Sequence, residues 1–235
     1  MIARFLLSVL LLMSTHPAAA NEEVDLDELM TPNEITSELT DEFLTEDITE
    51  ESTQYSPQIE PLSPAQIYDY YGVSVYSEFP VVMVISKGSQ HATVYHYGSA
   101  VRSFAVSTGR ERWERAKSGR TYFTGTPTGW FSPKRYIRDH WSTTWEANME
   151  YSIFFNGGIA VHATTPDHYK ELGRKASGGC VRLHKTNAAW FWNLSRSHMR
   201  ATVPYFTRSG HILKNRDGSI RRRIGNGTLF IVTSY

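Results

Sequence analysis

The chain has 235 residues, of which 40% are hydrophobic and 13% aromatic, so it is long enough for one domain of ordinary size. Its formal net charge of zero argues against a nucleic-acid-binding protein, but this balance hides a division. Residues 21–60 contain fourteen Asp and Glu and no Lys or Arg, whereas residues 61–235 contain ten acidic and twenty-three basic residues. The sequence therefore predicts an acidic segment of net charge −14 joined to a basic body of net charge +13.

The first twenty residues have the pattern of a secretory signal peptide. A short basic segment, 1–4, precedes the mostly apolar run 5–13, and residues 17–20 (Pro-Ala-Ala-Ala) supply small side chains before a cleavage site. The apolar run is too short to span a bilayer, and no later segment approaches eighteen consecutive apolar residues. We therefore expect a protein exported to the periplasm, with no integral membrane segment in its mature form.

Residues 21–62 are predicted to be an acidic, mostly disordered arm. They are rich in Asp, Glu, Ser and Thr, and their only aromatic residues are Phe43 and Tyr55. Such a segment cannot bury enough apolar surface to offset the entropy lost on ordering. We place the folded body at residues 63–235, with its core at about residues 79–232.

The body has the short-strand spacing of a mainly β domain. Helical spacing of Ala188, Trp192 and Ser195 predicts a single helix over residues 187–199 that is capped by Asn187. Strands are predicted over 81–85, 92–97, 101–107, 152–161 (interrupted at 156–158) and 228–232, with a hairpin over 212–224 that turns at Asp217-Gly218. These elements predict a β-sandwich or barrel closed by its last strand.

Cys180, the only cysteine, is the first candidate for chemistry. A single cysteine excludes a disulfide within one chain, and exported compartments oxidise free thiols. It is therefore a buried core residue, half of an intermolecular disulfide, or a nucleophile. A nucleophile needs a base or a positive field, because a thiol with an ordinary pKa of about 8.5 is only a few per cent thiolate near neutral pH.

The residues around Cys180 offer such an environment. His162 ends an apolar strand, from which its imidazole could reach a cysteine on a nearby loop. Gly178 and Gly179 leave room for a substrate carbonyl against backbone N–H groups, and Arg182 adds positive charge. These residues alone leave a structural role open, since the chain has nine histidines and most histidines are not catalytic.

The spacing of these residues resembles the signature of the L,D-transpeptidase catalytic domain, also called the YkuD domain. That signature is a His, about fourteen to seventeen residues, then Ser or Thr, His, Gly, Cys, a hydrophobic residue and commonly Arg. Here His162 is followed after fourteen residues by Ser177-Gly178-Gly179-Cys180-Val181-Arg182. Segments that resemble other family blocks occur in the family's order at 107–109, 126–129, 154–162, 187–188 and 227–232, so the resemblance covers about residues 79–232.

The resemblance implies a mainly β, L,D-transpeptidase-like sandwich with a short helix after the Cys motif, and no cofactor. It implies that Cys180 attacks a peptidoglycan stem peptide at the amide between an L- and a D-centre, with His162 as base and later as acid. The thioester on Cys180 would pass to an amine of a neighbouring stem or of a wall-anchored protein. Backbone N–H groups at Gly179 and Cys180 would form the oxyanion hole. Ser177, Gly178 and Arg182 would shape the loop or contact substrate.

Two residues depart from the family pattern. Gly178 stands where the family has a His two positions before the Cys. Ala163 follows the base where the family often has Gly or Ser, so a backbone carbonyl must orient His162. Two alternatives remain open: a hydrolase of the same fold (an L,D-carboxypeptidase, or an amidase that releases wall-bound protein) and a non-catalytic wall-binding module.

Other kinds of site have less support in the sequence. His162, His168 and His184 do not have the spacing of a usual zinc site, so no metal is predicted. An exported protein meets little nucleic acid, so the basic body favours anionic glycan, stem-peptide carboxylates or an acidic membrane surface as partners. Residues 132–151 are a candidate lid over the substrate, and residues 200–226 have no predicted role.

Overall fold

The structure, a computed structural model, describes residues 58–235, so the predicted signal peptide and the acidic arm up to residue 57 lie outside the described residues. The helices are α1 (Pro64–Tyr71), α2 (Val75–Glu78) and α3 (Lys185–Arg196), with a 3₁₀ helix at Pro166–Glu171. The strands are β1 (Val81–Ser86), β2 (His91–His96), β3 (Ser99–Ala105), β4 (Trp113–Arg115), β5 (Thr121–Phe123), β6 (Gly129–Phe131), β7 (Arg135–Ser142), β8 (Ala147–Asn156), β9 (Ile159–Ala163), β10 (Val181–Leu183), β11 (Ala201–Pro204), β12 (Arg222–Gly225) and β13 (Thr228–Thr233). The predicted mainly β fold is confirmed.

Two larger sheets form the body. The first has the order β3-β2-β1-β13-β6 and contains the antiparallel β1-β2-β3 meander that the sequence predicts. The second has the order β10-β9-β8-β7. The last strand does not close an edge, which corrects the expectation from sequence: β13 lies inside the first sheet, parallel to β1 and antiparallel to β6. All its residues are buried, as a strand covered on both faces requires.

The main hydrophobic core fills the space between these sheets. Alternate residues of β1 and β9 point into it, and α3 contributes Ala188, Phe191 and Trp192. The opposite face of the first sheet is covered by a second cluster that includes residues of α1, α2 and β11. Residues 200–226, without a predicted role, are thus partly explained, because β11, β12 and the loop between them cover this face.

Helix α1 is an element that sequence periodicity does not predict. Ser63 caps it, since the Ser63 hydroxyl accepts from Gln66 N at 3.3 Å and the Gln66 side chain accepts from Ser63 N at 2.8 Å. This capping box, with Pro64 in the first turn, is the signal that marks its start. Gly72 ends the helix in the left-handed conformation, at φ 68°.

Two predicted boundaries need correction. Helix α3 begins at Lys185 and is capped by His184, whose Nδ1 accepts from Thr186 N, so the cap predicted at Asn187 is wrong. Asn187 lies inside the first turn, where its side chain accepts from Arg102 at 3.4 Å. The hairpin predicted over 212–224 turns at Asp217-Gly218, but its second half leaves the pair, because β12 pairs with β11.

Candidate active site

The alternation of side chains along β9 and β10 sets the position of the site. On β9, Ile159, Val161 and Ala163 point into the main core, so Ala160 and His162 lie on the outer face of the second sheet. On β10, Val181 and Leu183 also enter the core, and Arg182 pairs in register with His162. Cys180 directly precedes β10 and packs against the small outer cluster of Met149, Phe154 and Ala160. The fold therefore brings Cys180, His162 and Arg182 to one face.

The Cys180 thiol is partly exposed and lies over the turn between β8 and β9. Its Sγ accepts from Ala160 N at 3.4 Å and donates to Gly158 O at 3.7 Å. In the part of the chain that the structure describes, no hydrogen bond joins the Cys180 thiol to His162. The two side chains line the same cavity, however, and catalytic hydrogen bonds commonly form only once substrate is bound.

The environment of His162 fixes its tautomer and keeps it neutral. Its side chain is 5% exposed, and Nδ1 lies 2.8 Å from Ala163 O, the type of partner that an Ala at position 163 requires. A carbonyl only accepts, so Nδ1 carries the proton and Nε2 is the basic nitrogen. Burial lowers the pKa of His162 to about 4; the charges of Arg182 and His140 act in the same direction, while the Ala163 carbonyl opposes them. The imidazole is therefore uncharged at neutral pH, and its Nε2 can accept a proton.

Side-chain hydroxyls hold the loop that carries Cys180. Ser177 Oγ accepts from Gly179 N at 3.0 Å and donates to Cys180 O at 2.5 Å, and Thr126 Oγ1 donates to Gly179 O at 2.6 Å. Gly179 has a φ of 134°, which favours glycine. The Gly179 N–H is bonded within the loop in this structure, and its role as an oxyanion donor stays a prediction.

Trp145, which the sequence analysis did not single out, leaves no room for a side chain at position 178. A Cβ at position 178 would lie 2.6 Å from Cε2 and 2.8 Å from Cζ2 of Trp145, far closer than real Cβ contacts. The indole thus takes the space that a side chain at this position would occupy. Trp145 also lies 5.7 Å from the Arg110 guanidinium and packs at 6.4 Å from Tyr122.

Trp145 belongs to the hairpin of β7 and β8, which accounts for most of the candidate lid over 132–151. The hairpin forms a wall of the site through residues of its tip and of β8. Trp145 N donates to Ser142 Oγ at 3.3 Å, and Glu146 has a φ of 47°, so the turn is tight. That this hairpin covers bound substrate stays a prediction.

Two cavities meet at Cys180. The larger cavity has a volume of about 380 Å³ and is lined by His162, Arg182, Asp167, Glu146 and Ser177, among others. The smaller cavity, of about 30 Å³, is lined by residues that include Arg135, His140 and Thr144. Both are lined by Trp145, Met149, Gly178 and Cys180, so this shared wall separates them.

A family model described as the L,D-transpeptidase catalytic domain, YkuD, matches residues 80–207, which is more than half of the chain. The chain belongs to this family. The match includes both Cys180 and His162 of the site above.

Solved structures of L,D-transpeptidases resemble the chain as well. One from Xylanimonas cellulosilytica is 24% identical, with a TM-score of 0.46, and the match covers 73% of this chain and 70% of that chain. Structures from Mycobacterium smegmatis and Mycobacterium tuberculosis H37Rv are 17% and 20% identical, with TM-scores of 0.44 and 0.43. Each covers 66% of this chain, which spans only 59% and 58% of their lengths. No curated protein matches the chain.

Arg182 of this L,D-transpeptidase domain is ion-paired at the wall of the larger cavity. Its Nη1 donates to Glu171 Oε2 at 2.8 Å. Burial lowers the pKa of Arg182, and the charge of Glu171 opposes that shift. A guanidinium stays protonated at neutral pH even when its pKa falls, so Arg182 supplies positive charge beside the thiol.

Neither a metal cluster nor a membrane span is found in the described part of the chain. Residues 58–235 contain no group of three or more His, Cys, Asp or Glu side chains placed to hold a metal ion. The helices in this range are too short or too polar to cross a bilayer.

The structure brings together Cys180 and His162, which sequence reasoning singled out, but that reasoning did not single out Trp145, Met149 and Arg135 as lining residues. These three residues come from the β7–β8 hairpin. The available signal was Gly178, because a glycine in place of a bulky family residue indicates that another side chain fills the space.

Proposed function

We propose that the protein is an exported cysteine L,D-transpeptidase that forms or remodels peptidoglycan cross-links through a thioester on Cys180. The observation that carries this proposal is the placement of Cys180 and a buried, neutral His162 on one cavity wall. Family membership supplies the reaction class. The larger cavity offers room for a stem peptide, and its walls include both charged and aromatic side chains.

Acylation uses His162 first as a base and then as an acid. Nε2 of His162 takes the thiol proton while Sγ of Cys180 attacks the amide carbonyl between the L- and D-centres, which gives a tetrahedral oxyanion. The N–H of Cys180 and other backbone donors of the motif loop stabilise that charge. His162 then returns the proton to the departing amine, the C–N bond breaks, and a D-amino acid leaves. The acyl group remains on Cys180 as a thioester.

Deacylation completes the transfer. An amine of a neighbouring stem peptide, or of a wall-anchored protein, attacks the thioester and gives up a proton to His162. The new amide forms, and the thiolate of Cys180 takes the proton back. Water in place of the amine would make the protein a carboxypeptidase or an amidase, and a protein that only binds the wall would give neither product.

Digestion of purified sacculi separates these outcomes. The mature protein is expected to produce new cross-linked muropeptides, seen by mass spectrometry, whereas Cys180→Ala produces none. Shortened stems without new cross-links would indicate the hydrolase, and unchanged muropeptides with retained sacculus binding would indicate the binding module. Full turnover by Cys180→Ala would contradict the proposal.

Export is proposed from the first twenty residues. Expression of the full chain in a bacterium is expected to yield a periplasmic protein whose N-terminus is Asn21, measured by intact mass. A cytoplasmic protein that retains Met1 would contradict this part.

A further inference from the structure

The smaller cavity contains a cation that has no counterion among residues 58–235. The Arg135 guanidinium stacks on the Phe154 ring at 4.4 Å, and its Nε is buried without a hydrogen-bond partner. Among the described residues, no Asp or Glu lines this cavity, whereas Cys180 does.

Two other partly buried arginines of the body have carboxylate partners. Arg182 pairs with Glu171 at 2.8 Å, and Arg110 pairs with Glu114. Among residues 58–235, Arg135 forms no ion pair. Removing a guanidinium from water without a partner is unfavourable, and its planar donors fit a carboxylate closely. Arg135 therefore has the chemistry of a residue that binds an anion.

The position of the smaller cavity beside Cys180 limits which anionic group of a substrate can bind there. The smaller cavity is lined by Cys180, so its ligand lies next to the carbonyl that Sγ attacks. In the donor stem, the carboxylate carbon of the leaving D-amino acid is three bonds from that carbonyl carbon, a distance of about 4 Å at most. The volume of about 30 Å³ admits a group of a few atoms and excludes a peptide chain.

We infer that the smaller cavity is the subsite for the α-carboxylate of the leaving D-amino acid, and that Arg135 is the residue that binds it. This inference rests on the proposed function, because it takes a stem peptide as the substrate. The larger cavity then holds the acyl part of the stem, and Trp145 on Gly178 separates the two parts of the substrate at the scissile amide.

Binding to an inactive protein tests the subsite without turnover. In a Cys180→Ala background, two synthetic stem tetrapeptides are compared by calorimetry: one ends in a free D-alanine carboxylate and the other in the D-alanine amide. The carboxylate peptide is expected to bind about 10- to 100-fold more tightly, as charge-assisted hydrogen bonds to Arg135 predict. Arg135→Gln should reduce this preference to near unity.

Arg138→Gln is the matched control, because Arg138 lies on the same strand, stacks on Tyr151 at 5.6 Å and lines neither cavity. It should keep the preference for the carboxylate peptide. Arg135→Lys keeps the charge and should retain part of the preference, which a purely structural role would not predict. Three results would overturn the inference. Arg135→Gln could weaken the binding of both peptides equally, or it could leave the preference for the carboxylate peptide unchanged. The third is that neither peptide binds to Cys180→Ala.

Turnover of the unmodified protein separates this inference from the proposed function. If it releases no D-alanine while Cys180→Ala prefers the carboxylate peptide through Arg135, the proposed reaction fails and the subsite stands. If it releases D-alanine but Arg135→Gln keeps the preference, the subsite fails and the reaction stands.

Discussion

The two cavities at Cys180 differ in size and in charge. The larger cavity, of about 380 Å³, has acidic and basic side chains on its wall, and its Arg182 is already paired with Glu171. The smaller cavity, of about 30 Å³, has no acid on its described wall and contains the unpaired Arg135. Only the larger one includes the base His162.

This difference places two chemically distinct cavities beside one cysteine, which are two half-sites of one reaction if the proposed function holds. A peptide with mixed polarity fits the larger cavity, and a small anion fits the smaller cavity. The wall between them includes the close contact of the Trp145 indole with Gly178, in a space that a side chain at position 178 would otherwise fill. The predictions below test the base on one side, then the wall, and finally the competition for the basic surface.

The largest effect is expected from loss of the base in the larger cavity. His162→Ala should slow acylation of Cys180 by about 10²- to 10⁴-fold, because it removes the imidazole that is proposed to take the thiol proton. In the unmodified protein, the rate should fall as pH drops through about 4, where His162 becomes protonated, and not near 6.5. Single-turnover acylation between pH 3.5 and 8 measures both the rate lost in His162→Ala and the pH dependence of the unmodified protein.

His91→Ala is the control for this change, since His91 is exposed on the first sheet. It should leave the rate and the pH profile unaltered. A low-pH limb near 6.5, or equal rates for the two variants, would show that burial does not tune this base.

An intermediate effect is expected from the wall. Gly178→His should lower acylation by about 10- to 100-fold, because its Cβ would collide with Trp145 and displace the wall. In a Trp145→Ala background the same substitution should cost little, since the indole that it meets is absent. A double-mutant cycle measures this coupling. Full activity of Gly178→His with Trp145 intact would mean that the contact does not restrict the site.

The smallest effect is expected from the acidic arm, which lies mostly outside the described residues and whose role stays a prediction. A segment of net charge −14 tethered to a body of net charge +13 should compete with anionic wall polymer for the basic surface. A chain that begins at Gln58 keeps the bond from Lys87 Nζ to Gln58 Oε1 and removes residues 21–57 of the arm, with thirteen of its fourteen acidic residues. It should bind sacculi a few-fold more tightly at low salt, and the difference should shrink at high salt. Equal binding at low salt would leave the arm as a spacer.

The sequence predicted the parts of the fold and the site that depend on local pattern. The apolar strand that ends at His162 and the spacing from His162 to Cys180 predicted that these two side chains lie close together, and both line the larger cavity. The sequence did not predict the Gly178–Trp145 contact, because this contact joins residues more than thirty positions apart through the packing of a hairpin on a loop. The lack of an ion-pair partner for Arg135 among the described residues was hidden for the same reason: only the folded structure reveals whether a carboxylate lies nearby.

The most direct test of the central claim is the intact mass of the protein during turnover. After acid quenching with a synthetic stem tetrapeptide, the account predicts a mass gain equal to the acyl part of the peptide, located on Cys180 by peptide mapping and removed by hydroxylamine. Cys180→Ala should show no adduct. Turnover without an adduct, or with an adduct on another residue, would contradict the account.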